Sequence, residues 1–268
     1  MKRFIGLSIF FSVSGAFAAA LINGAGASFP YPLYAKWFSD YQKAHPDVQI
    51  NYQSIGSGGG IRQFSQKTVD FGASDAPMTD EQLAEAKAPV LHIPTVLGAV
   101  VVTYNLPDVK TPVQLSGEVI GAIFQGKITK WDDAQIKALN PKVNLPALPI
   151  LVVHRSDGSG TTAIFTDYLT KAGKVWQAGS GTAVKWPVGL GGKGNEGVAG
   201  LVKQTPGTLG YVELIYAKNN GLEYAVIKNK SGKFISPDLK SVTAAAAATP
   251  VPEDFRVSIT DPAGKDAY

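Results

Sequence analysis

Three short segments gather the hydroxyls and glycines with which this chain could do chemistry: Gly26-Ala27-Ser28-Phe29, Ile55-Gly56-Ser57-Gly58-Gly59 and Gly158-Ser159-Gly160-Thr161. Each reads as a helix start, where the first backbone N–H groups lack an intrahelical acceptor and the helix dipole favours negative charge. Glycine lets the main chain approach a guest closely, and a Ser or Thr hydroxyl adds a donor beside the N–H groups. Any one of these serines, taken alone, is explained as a simple N-cap. Three such starts in one chain point towards a tetrahedral oxyanion.

Two kinds of charge flank these starts. Arginine is scarce, occurring after position 3 only at Arg62, Arg155 and Arg256. The planar fork of Arg155, just before the third segment, suits two oxygens of a phosphate or sulfate. Asp157 is expected to pair with it and fix its direction; a surface pair with no such task would contribute little. Asp75, in Ser74-Asp75-Ala76-Pro77, would repel a fully deprotonated anion. Its carboxylate can instead accept a hydrogen bond from a protonated ligand oxygen, which phosphate carries at neutral pH and sulfate does not. The other use of an aspartate here is an N-cap or Asx-turn before Ala76-Pro77.

The elements that must position these residues alternate along the chain. Leu33, Tyr34, Trp37, Phe38 and Tyr41 have helical spacing, predicting a helix to Ala44 that starts near Ser28, since prolines at 30 and 32 suit a first turn. A strand over Val48 to Tyr52 feeds the second glycine turn and a short helix through Lys67. A strand over Val69 to Ala73 leads to Asp75, and Thr79 with Gln82 can form a capping box for a helix to Ala86. Leu91 to Tyr104 is nearly unbroken apolar and β-branched, predicting a buried strand or one crossing between lobes. Beyond it, Gly117 to Phe124 and Asp132 to Leu139 read as helices, and Ile150 to Val153 as a buried strand running into Arg155. Thr162 to Thr170 is helical with Phe165, Tyr168 and Leu169 inward. A glycine-rich loop, 189–194, precedes a helix over Glu196 to Gln204; Tyr211 to Tyr216 is an apolar strand or helix, and Ala244 to Ala248 favours a helix stopped by Pro250. Alternating short strands and helices make the fold α/β.

Composition removes other classes. At 268 residues, with 45% hydrophobic and 17% charged, the chain is long enough for one large or two modest domains and is not that of a disordered protein. With no cysteine there are no disulfides, thiolate metal sites or thiol nucleophiles. The three histidines, His45, His92 and His154, are scattered without metal-ligand spacing, so no metal or other cofactor is expected. Lys2 and Arg3, an apolar run from Phe4 to Val13 and Ala16-Phe17-Ala18 form a secretory signal, too short to span a membrane. Cleavage after Ala18 removes two positive charges and lowers the net charge from +4 to +2, with lysines dispersed rather than clustered, so no nucleic-acid partner is expected. An exported chain of this kind fits the bacterial periplasm.

Two competing motifs are weak. A serine hydrolase using Ser159 would rely on His154 as base, and G-x-S-x-G fails because position 157 is aspartate. Gly189 to Gly194 matches G-x-G-x-x-G, with Glu213 nineteen residues past Gly194, yet Pro187 interrupts the strand that should precede it. The same stretch fails as a P-loop because Gly194 stands where a hydroxyl is required, and Lys193 is expected to be solvated.

GAGASFPYPLYAKW at 24–37, YQSIGSGGGIRQ at 52–63, VDFGASDAP at 69–77, RSDGSGTT at 155–162 and VKWPVGLGGKGNEGV at 184–198 resemble the periplasmic phosphate-binding proteins that serve ABC-type phosphate importers. The resemblance runs from Gly24 to about Tyr216. It implies a two-lobed α/β periplasmic-binding-protein fold of type II, closing by hinge bending on a phosphate in the interlobe cleft. By position it assigns the phosphate to Ser28 and the Phe29 backbone, Ser57, Asp75, Arg155, Ser159, Gly160 and Thr161, with Asp157 orienting Arg155; Ser28 stands where threonine is usual. The implied division is a signal over 1–18, a first lobe over 19–95, a second over 96–250, and over 251–268 the start of a segment returning to the first lobe. In the family this segment continues with a strand and helices past the position of Tyr268. The resemblance implies a monomeric carrier and not an enzyme, without cofactor, docking transiently on membrane permease subunits and reaching their ATPase only through them. Another tetrahedral oxyanion is the alternative ligand.

Overall fold

The computed structural model describes residues 20–86 and 88–268. The secretory signal expected over 1–18 lies outside the described residues.

The first three strands form one parallel sheet in the order β2-β1-β3. β1 (Ala20–Gly26) passes through a tight turn at Ser28 into α1 (Tyr31–Ala44). β2 (Val48–Ser54) passes through Gly56 into α2 (Ser57–Ser65), and β3 (Phe71–Ala73) precedes α3 (Asp80–Ala86). β1 pairs in register with β2 from Ala20 opposite Val48 to Gly26 opposite Ser54, and with β3 from Gly24 opposite Phe71 to Gly26 opposite Ala73. The strand ends that lead to Ser28, Ser57 and Asp75 therefore lie side by side at one edge, the carboxyl end of a parallel sheet, where α/β folds place their ligands. A stack of rings covers the sheet: Tyr52 lies against Phe71 with centroids 6.0 Å apart, and Tyr34 meets Tyr52 edge-on at 5.3 Å.

The remaining elements build a larger body. They are β4 (Val100–Tyr104), β5 (Gln114–Ser116), α4 (Gly117–Phe124), α5 (Ala134–Leu139), β6 (Leu151–Arg155) and α6 (Gly160–Ala172). There follow β7 (Leu190–Gly192), α7 (Gly194–Gln204), β8 (Thr208–Glu213), α8 (Leu214–Asn220), β9 (Glu223–Tyr224), β10 (Val226–Lys228), β11 (Phe234–Ile235) and α9 (Leu239–Ala247). The main sheet has the order β7-β6-β8-β4-β9, parallel among β7, β6 and β8 and antiparallel where β4 pairs with β8 and β9. A small sheet, β11-β10-β5, sits beside it. The core lies here: Phe124, Trp131, Leu169, Leu209 and Tyr211 are fully enclosed on one side of the main sheet, and Val101, Val198, Val202 and Val212 on the other. β8 is buried at every residue, as a central strand covered on both faces must be.

Several expectations need correction. α1 begins at Tyr31 and not near Ser28, because Pro30 takes the N-cap position and Ser28 and Phe29 form the preceding turn. The apolar series from Leu91 does not form one strand to Tyr104. Only Val100 onward pairs; before it the chain is irregular, with Leu91 85% and Ile93 74% exposed. Periodicity cannot distinguish a buried strand from an apolar connector, and Pro94 removes a ladder donor. The glycine stretch 189–194 is no simple loop: β7 lies within it and α7 starts at Gly194, two residues before the expected start. Tyr211 to Tyr216 is both strand and helix, changing at Glu213, whose side chain caps α8 by accepting the Ile215 N–H at 2.6 Å. Among the described residues no helix is long and apolar enough to cross a membrane.

Candidate functional site

The two sheets bring their helix starts face to face. Ser28 and Asp75 come from the turns after β1 and β3 and Ser57 from the start of α2 after β2, whereas Arg155 ends β6 and Asp157, Ser159, Gly160 and Thr161 follow it. Contacts between the two sets join them: Gly58 N–H donates to Gly158 C=O at 2.9 Å, and the Thr161 hydroxyl donates to Asp75 Oδ2 at 3.2 Å. A Cβ on Gly160 would lie 2.6 Å from Asp75 Cβ and closer still to Ser57 Oγ, so only glycine lets α6 approach that near. Gly56, at φ +83°, makes the turn from β2 into α2, and a Cβ there would collide with Asp157 Oδ2.

Burial makes this a dry cluster. Ser57, Ser159 and Thr161 have no exposed surface, and Ser28 and Arg155 almost none. Phe29 is half-buried, its ring against Gly98. Asp75 is partly exposed as a residue, while its carboxylate turns inward onto Thr161.

The hydrogen bonds fix which way each hydroxyl can act. Ser28 Oγ accepts from Asn195 twice, from its backbone N–H at 3.3 Å and from Nδ2 at 2.8 Å. Ser57 Oγ accepts the Asp75 N–H at 3.3 Å, and Ser159 Oγ accepts the Thr162 N–H at 3.0 Å. Each serine oxygen therefore keeps its proton to give, and Ser28, with both lone pairs occupied, can act only as a donor. Thr161 Oγ1 accepts from Arg155 Nη1 at 3.4 Å and Asn195 Nδ2 at 3.3 Å and gives its own proton to Asp75. At the start of α6, the Ala163 N–H goes to Ser159 C=O and the Thr162 N–H to Ser159 Oγ, while the Gly160 and Thr161 N–H groups precede any intrahelical acceptor.

Arg155 is held by Asp157 as a fork, Nε to Oδ1 at 2.8 Å and Nη2 to Oδ2 at 2.6 Å, with the arginine side chain 1% exposed. Asp157 also accepts the Gly194 N–H at 3.1 Å. Burial works against the Asp157 charge, but the Arg155 hydrogen bonds and charge outweigh it and hold the carboxyl below its usual range. Asp75 behaves in the opposite way. Burial pushes its carboxyl up to about 7, with the Arg155 charge and the Thr161 hydroxyl pulling it only part of the way back. Glu213, behind Asn195 and Gly98, is likewise raised by burial to about 7 despite the Ile215, Ala99 and Leu214 backbone bonds. The cluster thus combines hydroxyl and N–H donors and a guanidinium with the inward carboxylate of Asp75, an arrangement that suits a small oxyanion retaining one proton.

All the residues singled out in the sequence, Ser28, Phe29, Ser57, Asp75, Arg155, Asp157, Ser159, Gly160 and Thr161, lie at or beside this cluster. Of these three serines, Ser159 is an N-cap, Ser28 lies in the turn before α1, and Ser57 is the first residue of α2 after Gly56. Asp75 caps no helix, since α3 is started by the Thr79–Gln82 capping box. One participant was missed. Asn195, at the start of α7, has no exposed surface and touches both Ser28 and Thr161. The signal for it was the glycine stretch 189–194 itself, a fourth glycine-led helix start of the same design. The hydrolase alternative loses its base: His154 stacks on Trp186 with centroids 4.9 Å apart and places Nδ1 3.0 Å from the Arg155 carbonyl. Lys193 is exposed, as expected.

Residues 13–265 match the family described as the PBP superfamily domain. The phosphate-binding protein PstS of Pasteurella multocida (strain Pm70) is 51% identical over 250 residues, covering 92% of this chain and 72% of that protein. The phosphate-binding protein PstS of Haemophilus influenzae is 52% identical over 229 residues, covering 84% of this chain and 68% of that protein. Among solved structures, a high affinity periplasmic phosphate-binding protein (PfluDING) bound with phosphate superposes with a TM-score of 0.70 at 24% identity, over 92% of this chain and 76% of that one. A phosphate-binding protein from Stenotrophomonas maltophilia gives 0.62 at 21% identity, over 90% and 72%. These superpositions establish the two-lobed fold, and the sequence matches establish the lineage: the chain belongs to the PBP superfamily and, within it, to the family of the phosphate-binding protein PstS.

Proposed function

We propose that this protein binds inorganic phosphate between its two lobes and delivers it to an ABC-type phosphate importer. One observation carries the reading. Three serine hydroxyls each accept an N–H and keep a proton to give, the buried Arg155 is aimed by Asp157, and Asp75 turns into the cluster a carboxylate that meets no cation in a salt bridge among the described residues. Such a site offers many protons to an oxyanion and asks for one in return. Phosphate at neutral pH meets both demands; sulfate meets only the first.

In this reading Ser28 and the Phe29 N–H, Ser57, Arg155, Ser159 and the Gly160 and Thr161 groups donate to the phosphate oxygens. Asp75 accepts from the protonated oxygen, and Asp157 keeps Arg155 in place. About ten hydrogen bonds of roughly 1.5 kcal/mol or more, several of them charge-assisted, suffice for micromolar or tighter binding without a strong net positive charge. The lobes divide at the connector that precedes β4, with residues 19–95 as the first lobe and 96–250 as the second. The protein works as a monomeric periplasmic carrier with no reaction of its own and docks transiently on the importer's permease subunits. The PstS names of relatives at 51% and 52% identity support the ligand.

The test is a thermal-shift titration of the mature chain with phosphate, sulfate and a nucleotide. A ligand that binds only the folded state raises the melting temperature, by an amount that grows with the logarithm of its concentration over its Kd. Phosphate is expected to raise it at micromolar concentration and the other two to leave it unmoved. A shift by the nucleotide alone would reject the carrier reading.

A further inference from the structure

We propose that Asn195 is a positioning residue for this site: reaching from α7 to Ser28 on the facing lobe, it holds the Ser28 hydroxyl as a donor to the bound anion. The inference rests on the phosphate reading above and extends it to a residue outside the assigned ligand set.

The orientation of the Asn195 amide follows from its partners. Its Oδ1 accepts the Glu213 backbone N–H at 2.9 Å, a group that can only donate, so Nδ2 must occupy the other position. Nδ2 lies 2.8 Å from Ser28 Oγ and 3.3 Å from Thr161 Oγ1 and donates to both. The Asn195 backbone N–H also points at Ser28 Oγ, at 3.3 Å. Both lone pairs of Ser28 Oγ are therefore occupied by donors from one residue, and the hydroxyl proton has to point away from Asn195, towards the cluster. The Tyr216 hydroxyl, 2.6 Å from the Ser28 carbonyl, fixes the backbone of the same residue from α8.

The same amide spans the cleft. Ser28 follows β1 of the first sheet, while Asn195 and Thr161 belong to the second body. An Nδ2 shared between Ser28 and Thr161 ties an anion donor of one lobe to the Asp75-linked hydroxyl of the other, so the bonds that aim Ser28 exist only with the lobes together. Asn195 then contributes to retention of the anion and little to its capture, because it acts after the cleft has closed.

A double-mutant cycle by calorimetry tests this, with phosphate titrated into the wild type, S28A, N195A and S28A/N195A. The expectation is that each single variant binds about ten-fold more weakly, and that adding N195A to S28A costs at most about three-fold more, because Asn195 works through Ser28. Stopped-flow displacement should show the N195A loss as faster phosphate release at a nearly unchanged association rate. Multiplicative losses of about a hundred-fold in the double variant, or wild-type binding by N195A, would overturn the proposal, since a merely structural role predicts independence. Should N195A fail to fold, N195D keeps the Oδ1 acceptor for Glu213 while reversing the Nδ2 donor; its affinity should fall at least ten-fold, and unchanged binding overturns the proposal. A wild type that binds no phosphate would instead reject the ligand reading itself, an outcome separable from an additive cycle.

Discussion

At the scale of single residues, the site turns on which groups can give a proton and which can take one. Asp75, its carboxylate turned inward, is set to take one, so Asp75→Asn should reduce the preference for phosphate over sulfate more than it reduces sulfate affinity. Calorimetry with both anions reads this directly: the ratio of their affinities should shrink by about ten-fold or more, and an unchanged ratio would remove Asp75 from specificity. Arg155 makes a second case. Arg155→Ala removes a donor fork and also strands Asp157 in a largely buried position, so phosphate should bind at least about ten-fold more weakly and stability should fall by about 3 kcal/mol. Adding Asp157→Ala should restore much of the stability and little of the affinity, which urea unfolding and calorimetry separate. What residue types made legible is the placement: a scarce arginine paired with the aspartate beside it, and an aspartate turned inward among hydroxyls. For Asn195 the glycine stretch 189–194 marked the place but not the residue, because an asparagine announces neither charge nor direction until the Glu213 N–H fixes its amide.

Helix starts set the geometry at the next scale. α6 presents its first turn to the cluster because Ser159 caps it and Gly160 carries no side chain. Gly160→Ala should therefore push Ser57 and Asp75 away from α6 and weaken phosphate binding by more than ten-fold. Its effect on the α6 helix itself should be neutral or slightly favourable, since alanine is the better helix former. Circular dichroism with calorimetry checks the two halves, and intact binding by the alanine variant would mean the approach is not needed. Elements with strong internal signals were readable in advance, such as α1 from its ring spacing and the Thr79–Gln82 box that starts α3. The segment from Leu91 misled because apolar, β-branched composition describes a connector as well as a strand when no partner strand is in view. The chain position that separates them, Val100, is where pairing with Glu213 begins.

For the molecule as a whole, the anion site is a cost that the fold carries while the site is unliganded. Asp75 and Glu213 both prefer the protonated form in the folded state, with pKa values raised to about 7 from ordinary values near 4. Groups shifted upwards bind more protons folded than unfolded, so the stability they support is present below their ordinary pKa and is lost as pH climbs through about 7. Asp157, shifted downwards, acts the other way and only at more acid pH. Denaturation in phosphate-free buffer from about pH 4.5 to about pH 8 should accordingly show stability falling with pH, and Asp75→Asn should flatten that slope. A mutant slope equal to the wild type's would place the inward carboxylate elsewhere. Saturating phosphate should offset the loss, because the bound anion supplies the proton that Asp75 would otherwise have to carry. The most direct measurement of the whole account is calorimetry of the mature protein at neutral pH with phosphate and, separately, with sulfate. The account predicts phosphate binding at micromolar concentration or tighter and sulfate weaker by about a hundred-fold or more; comparable affinities for the two anions would contradict it.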